Sequence, residues 1–376
     1  RCLSFGSRLT GLAWTACARF NHEETMMTDI ADPLVIAICY RSEWWSEEGA
    51  FDAAVEALTA LGSVEVLELP YEEEHVRRSG RGTDPARDWL ADQPAIDPAV
   101  LAGFARCHVI LALDLPVNIC ELAPDLKWVQ AFGAGSDQFV SCRLGASGVL
   151  LTNSAGSNAI GIAEFALGRI LEHAKRFPLI RERQVDRIWQ ATFGRELTGS
   201  TLGLIGFGNI CAAVAPRARA FGMRVEACRG SAQSGDTHEL LDAVWPADQL
   251  HAMLERCDYV VAAVPNTPAT DQLMNADAFA AMKPGAFFVN VGRGSLVDES
   301  ALVAALESGH LGGAALDVVS TEPLGEDSPV WSAPNLALSF HNAAVPTAMF
   351  GNVHRIFADN VASYLAGGPL RSTVHQ

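Results

Sequence analysis

The sequence predicts an α/β protein built from two parallel-sheet domains. Three observations carry this. Short apolar runs recur along the chain, separated by segments with helical spacing or turn residues. That alternation is the mark of parallel strands covered by helices on both faces. The chain has 376 residues, enough for two domains of ordinary size. The alternation also breaks once, over a long helical pattern and a polar stretch ending at Thr198, and then restarts.

Taken in order, Leu34–Cys39 is an unbroken apolar run and reads as a buried strand. Phe51–Leu61 has helical spacing and Val64–Leu69 is strand-like. Tyr71–Gln93 is rich in charge, Gly and Pro, and reads as a surface insertion. Val109–Leu113, Trp128–Phe132 and Val149–Thr152 complete the first series. Ile160–Lys175 is helical, with Ala163, Leu167, Ile170 and Leu171 on one side. The second series is Thr201–Ile205, Arg224–Cys228, Tyr259–Val264, Ala286–Val291, Gly313–Val318 and Leu336–Ser339. A last helix, Thr347–Ala366, is expected to return to the first domain. The expected division is therefore 34–152 completed by 346–376, with 153–345 as the second domain. Residues 1–33 form a tail expected to be poorly ordered. Arg1, Arg8 and Arg19 precede its first acid, Glu23, as in an organelle presequence; the plainer reading is upstream sequence before Met26 or Met27.

Lys and Arg number 27 against 44 Asp and Glu, a net charge of −17. So acidic a chain repels nucleic acid and anionic membrane, which excludes both as partners. No apolar run is long enough to read as membrane-spanning. The nine cysteines are odd in number and lack C-x-x-C spacing, which points to a reduced, cytoplasmic chain. The histidines lack metal-ligand spacing, so no metal is expected.

Gly206-Phe207-Gly208-Asn209-Ile210-Cys211 lies between a strand and a helical run, Ala212–Phe221. Gly206 permits a tight turn, and Gly208 lets backbone approach a pyrophosphate at the helix N-terminus. The third position of G-x-G-x-x-G holds Cys211, slightly larger than the usual Gly or Ala, so crowding is expected there. This is the turn of a Rossmann-like dinucleotide site. The ribose 2′ position is read about 20 residues further on, where NAD proteins carry an acid. Here Arg229 stands there, followed by Gly230 and Ser231. A guanidinium and a hydroxyl suit a 2′-phosphate, hence NADP(H) over NAD(H). The rival is Glu226, which would hold the ribose hydroxyls of NAD if the strand ended early.

Further motifs follow in one order: Val264-Pro265-Asn266-Thr267-Pro268, Met282-Lys283-Pro284-Gly285, Asn290-Val291-Gly292-Arg293-Gly294, Asp317-Val318 with Glu322-Pro323, and His341. Together they resemble the D-isomer-specific 2-hydroxyacid dehydrogenases, over about residues 34–372. The branch most similar is the NADPH-linked glyoxylate/hydroxypyruvate reductases. Trp44-Trp45, Arg229-x-Ser231 and the Val264–Pro268 segment carry that narrower likeness.

The resemblance implies two Rossmann-like/flavodoxin-like domains with the active site in the cleft between them. The first would bind substrate and the second the dinucleotide. It implies Arg293, Glu322 and His341 as catalytic residues, and Ala134 and Gly135 as backbone donors to the substrate carboxylate beside Arg293. It implies cofactor contacts from Gly206, Gly208, Asn209, Ile210, Arg229, Pro265, Val291, Gly292 and Asp317, with Ser231 joining Arg229. The partners implied are a small 2-oxo or 2-hydroxy acid and a second copy of the chain, with the Ile160–Lys175 helix near the dimer axis.

These residue types suit the chemistry. Arg293 can hold a carboxylate and polarise a carbonyl with a rigid fork of donors. His341 can give or take a proton near neutrality, and Glu322 would orient it. Asn342, after His341, is more polar than the family's usual Ile or Val and is expected to alter the packing of the histidine. Two other functions share this pattern: a phosphoglycerate-dehydrogenase-like enzyme, and a dinucleotide-sensing binding protein of the co-repressor type. Substrate specificity is expected near Arg41–Trp45 and Leu113–Pro116, and Trp331 is expected to serve packing or an interface.

Overall fold

The structure is a computed structural model that describes residues 33–40, 50–84 and 86–374. The tail expectation for residues 1–32, and the expectations for Arg41–Trp45, lie outside the described residues.

Five strands form the first sheet: β1 (Leu34–Ile38), β2 (Val64–Glu68), β3 (Val109–Ala112), β4 (Trp128–Ala131) and β5 (Leu150–Thr152). All pair in parallel, in the order 2-1-3-4-5, which is the flavodoxin-like order. Because side chains alternate along a strand, β1 feeds two cores. Val35, Ala37 and Cys39 pack on one face, and Leu34, Ile36 and Ile38 on the other.

The second sheet has seven parallel strands: β6 (Thr201–Ile205), β7 (Arg224–Arg229), β8 (Ala243–Pro246), β9 (Tyr259–Ala262), β10 (Phe287–Asn290), β11 (Gly313–Leu316) and β12 (Leu336–Leu338). Their order is 12-11-10-9-6-7-8, so the direction of winding reverses between β6 and β9. This is the Rossmann arrangement, with its ligand crevice at that reversal. All the expected strands are present. β8 was not expected: its four residues, Ala243–Pro246, are half-buried and end in a proline, which reads as a turn signal, and its edge position tolerates Pro246.

The chain crosses between the sheets twice. The outward crossing ends in the helix Ala159–Ala174, and the return leads into the helix Pro346–Leu365. The two crossings are laced together. Asn158 accepts from Val345 N at 3.1 Å, and Asn352 donates to Ser157 O at 2.9 Å. The last helix places Phe350, Val353, Phe357 and Val361 against β1, β3 and β4. Buried Asn360 donates to Gln130 Oε1 and accepts from Arg371 N, which ties the end of the chain to β4. No helix among the described residues is long and apolar enough to cross a membrane.

Residues 71–93 are only in part the surface insertion their composition suggests: 86–92 is mostly exposed, but 71–83 is built into the domain. They contain a helix, His75–Thr83, whose Arg81 is completely buried. Arg81 donates to Glu73 Oε1 at 2.8 Å, Leu115 O at 2.7 Å, Ser141 Oγ at 2.9 Å and Cys142 Sγ at 2.9 Å. Burial pushes the Cys142 thiol up to about 12, so it meets Arg81 as a neutral group. Beside it, Arg78 clasps buried Asp114 through two hydrogen bonds. Charge-rich segments read as solvated because lone charges are not buried; here opposite charges are buried together. Arg81→Ala leaves Glu73 with Tyr71 and Arg77 alone. It should lower unfolding free energy by about 3–5 kcal/mol, read as a shifted midpoint in urea denaturation.

Candidate active site

β6 delivers the chain to Gly206, whose φ of +87° belongs to the left-handed region. A Cβ there would also lie 2.6 Å from Val264 Cγ1, so only glycine fits. Gly208 caps the helix Asn209–Ala220, and a Cβ placed on it would meet nothing within 4 Å. The open space over a twelve-residue helix N-terminus at the sheet's reversal point fits a pyrophosphate. Cys211 is fully enclosed in one core with Ala163 and Ala166, and the helix runs through it unbroken. Small neighbours absorb the extra atom.

Arg229 is the last residue of β7, and Ser231 is exposed in the turn that follows. Arg229 Nη2 lies 3.6 Å from Asp236 Oδ2, and its Nε is buried without a hydrogen-bond partner. An anion with several oxygens fits that orphaned donor. Glu226 is no rival. It sits in mid-strand opposite Gly203 and Ala243, 1% exposed. Its carboxylate is occupied by Trp245 Nε1 at 2.8 Å and by Arg256.

Past β11, buried Asp317 organises the turn that presents His341. Its carboxylate accepts from Ser339 Oγ at 2.8 Å, Asn342 N at 2.8 Å and Ala343 N at 3.1 Å. Its own carbonyl accepts from His341 N at 2.6 Å. Phe340 and His341 have φ of +53° and +60°. Left-handed backbone at a non-glycine residue costs about 1–3 kcal/mol each, so surrounding bonds must hold it. Asn342 is exposed and uses only its N–H here, which is why a polar residue is tolerated.

His341 Nδ1 and Glu322 Oε2 are 2.9 Å apart. That hydrogen bond raises the histidine pKa above its ordinary value; desolvation and the nearby Arg293 charge pull the other way. With Nδ1 committed to Glu322, Nε2 is the nitrogen left for a substrate. Trp331 packs against Phe340 beside this turn.

Arg293 is set by Asn290, which accepts from Gly292 N at 3.0 Å and donates to Arg293 O at 2.9 Å. The sequence reading missed Asn290, although it opens the same N-x-x-R-G segment. The guanidinium crosses to the first domain. Nε is 3.7 Å from Asp137 Oδ2, and a Cβ on Gly135 would lie 2.6 Å from Nη2. A side chain at position 135 would therefore push the guanidinium from this place. Ala134 O is held by Asn153 Nδ2 at 2.8 Å, and the N–H groups of Ala134 and Gly135 donate to no backbone partner among the described residues. Ala134, Gly135, Pro265 and Arg293 line one cleft of about 950 Å³. Val291 and Gly292, which follow β10 and precede Arg293, are buried. Ile210 is half-buried and Asn209 exposed at the helix start. A carboxylate beside Arg293 would meet a planar fork on one side and free N–H groups on the other.

The chain is similar in sequence and fold to known proteins. Residues 167–343 match the family model described as D-isomer specific 2-hydroxyacid dehydrogenase, NAD binding domain. The chain is 36% identical over 240 residues to (S)-sulfolactate dehydrogenase of Chromohalobacter salexigens, covering 63% of this chain and 77% of that protein. It is 32% identical over 272 residues to glyoxylate/hydroxypyruvate reductase B of Citrobacter koseri, covering 70% and 83%. Against D-3-phosphoglycerate dehydrogenase of a Synechocystis strain it is 32% identical, but the match spans only 47% of that longer protein and 70% of this chain. Among solved structures, the NADPH-dependent glyoxylate/hydroxypyruvate reductase of Sinorhizobium meliloti, in complex with NADP and sulfate, superposes with a TM-score of 0.67. The two are 25% identical, with 91% of this chain and 98% of that one covered.

Proposed function

The chain belongs to the D-isomer-specific 2-hydroxyacid dehydrogenase family, an NAD(P)-dependent oxidoreductase family, and from this we propose that it reduces small 2-oxo acids of the glyoxylate/hydroxypyruvate type with NADPH, giving D-2-hydroxy acids. The observation that carries the reading is the His341–Glu322 pair within the field of Arg293, which itself reaches the Ala134–Gly135 loop. When bound, the nicotinamide supplies the hydride. Arg293 binds the carboxylate and polarises the carbonyl, with the N–H groups of Ala134 and Gly135 completing the grip. His341 Nε2 delivers a proton to the carbonyl oxygen, and Glu322 holds the ring and favours its charged form. Asp317 holds the turn. The open Gly208–Ile210 helix start takes the pyrophosphate, with Pro265, Val291 and Gly292 beside the nicotinamide half. Arg229 and Ser231 take the 2′-phosphate.

Arg293→Lys tests the fork. It keeps the charge but loses paired donors, so kcat/KM for 2-oxo acids should fall about 10–100-fold, with KM raised and kcat lowered. Unchanged constants would remove Arg293 from the site. The reading as a whole is tested by NADPH oxidation with glyoxylate, hydroxypyruvate and pyruvate. Tight NADPH binding without any turnover would favour the dinucleotide-sensing alternative.

A homodimer is part of the proposal. The helix Phe177–Val185 has no buried residue, and Phe177, Val185, Ile188, Trp189 and Phe193 are exposed on and after it, Trp189 completely. Such a patch on a charged chain marks an interface, which sedimentation in solution would read as twice the chain mass. The seven described cysteines are free thiols, which suits a cytoplasmic setting.

A further inference from the structure

The cleft wall between the loop at Gly133 and β5 is a 3-10 helix, Asp137–Cys142. Asp137 stands at its start, facing Arg293. Arg143 follows its end, with φ of +51°. At about 2.0 Å rise per residue, Asp137 and Arg143 stand roughly 12 Å apart along the wall. Arg143 lines the same cleft as Arg293, together with the neutral polar residues Asn153, Asn266 and Thr267. Among the described residues Asp137 is the one acid in that lining, and it already faces Arg293. The Arg143 side chain is exposed, and among the described residues its guanidinium makes no ion pair or hydrogen bond.

The wall carrying it is braced from behind. Buried Arg81 grips Ser141 and Cys142, and Ser141 Oγ bonds back to Gln138 O at 2.9 Å. Gly82 packs so closely that a Cβ there would lie 3.0 Å from Asp137 Cβ. A buried cation thus fixes the spacing between an exposed arginine and the Arg293 end of the cleft. In a chain of net charge −17, an uncompensated guanidinium in a cleft is a local attraction for an anion.

We propose that Arg143 forms a second anion subsite, and that the preferred substrates are 2-oxo acids bearing a further anionic group, such as a distal carboxylate, phosphate or sulfonate. The proposal rests on the reading of the cleft as a 2-oxo acid site and extends it to substrate class. Arg293 takes the carboxylate next to the carbonyl, and Arg143 takes the distal anion through charge-assisted hydrogen bonds.

The test is substitution Arg143→Gln, with two readouts. With NADPH, kcat/KM for oxaloacetate and 2-oxoglutarate should fall about 10–100-fold, while values for pyruvate and glyoxylate stay within about twofold. With NADP⁺, where a 2-oxo acid cannot be reduced, calorimetric titration should show the same selective weakening for 2-oxoglutarate against pyruvate. Equal loss for both classes, or no loss, overturns the subsite. A raised KM for NADPH with acid selectivity unchanged also overturns it, because Arg143 then serves the cofactor's phosphates. If wild type binds 2-oxoglutarate through Arg143 but reduces no 2-oxo acid, the subsite stands and the reductase reading falls.

Discussion

His341→Ala should lower kcat for 2-oxo acid reduction by about 10²–10⁴-fold, the usual worth of a positioned proton donor, while NADPH affinity stays unchanged. The histidine sits on a turn held by Asp317, whereas the proposed pyrophosphate site is the start of the helix Asn209–Ala220. Loss of its ring therefore removes the proton and leaves cofactor binding intact. The pH profile gives a second signature. Reduction needs the protonated ring, and the Glu322 hydrogen bond raises its pKa above the ordinary histidine value. Activity should be full on the acid side, persist past the unperturbed value near 6.5, and fall as pH rises through the raised pKa. Glu322→Gln keeps a hydrogen bond but removes the charge, so the fall should move to lower pH. A variant lacking His341 that retains near wild-type turnover at saturating NADPH would exclude this residue as the acid.

Cofactor preference should reverse in Arg229→Asp. A charge-assisted contact to phosphate is worth about 1.5–3 kcal/mol, and about 1.4 kcal/mol is tenfold. Wild type should prefer NADPH over NADH by about 10–100-fold in kcat/KM. The variant loses that attraction, gains repulsion against the 2′-phosphate, and offers a carboxylate to the ribose 2′-OH. Asp236 already lies 3.6 Å from Arg229, so the pocket is not purely cationic and the preference belongs at the lower end of that range. Added salt should weaken it, because the Arg229 side chain is about one third exposed. Clear NADH preference in wild type would sink the arginine argument, since the structure leaves Glu226 no free oxygen with which to explain it.

Much of the architecture was legible because buried parallel strands are largely apolar runs. β1, β3, β4, β9 and β10 are wholly buried and all were read from composition alone. β8 escaped because its apolar run is only four residues, half-buried, and closed by Pro246, which reads as a turn. The helix Phe177–Val185 escaped for a related reason: it buries nothing, so no apolar stripe marks it. The site was legible where backbone chemistry demands one residue type, as at Gly206, and where motifs recur in order. What the sequence hid was pairing. Nothing local says that Arg81 is buried, because its partners Glu73, Leu115, Ser141 and Cys142 come from three separate segments. The strand end that separates Arg229 from Glu226 likewise needed three-dimensional register to settle.

The return of the last helix to the first sheet has a consequence for synthesis. β1, β3 and β4 leave the ribosome before the second sheet, yet one of their apolar faces is covered by Phe350, Val353, Phe357 and Val361, which leave it only after that sheet. The seven-stranded half lies within one uninterrupted stretch and can close while translation continues. At about 5–20 residues per second, the roughly 200 residues between β5 and that helix occupy on the order of 10–40 s. For that interval a nascent chain carries Leu34, Ile36, Ile38 and Trp128 without their cover. Of the two domains, the one begun before the other is thus finished after it, and this sticky intermediate is where a holding chaperone would be needed.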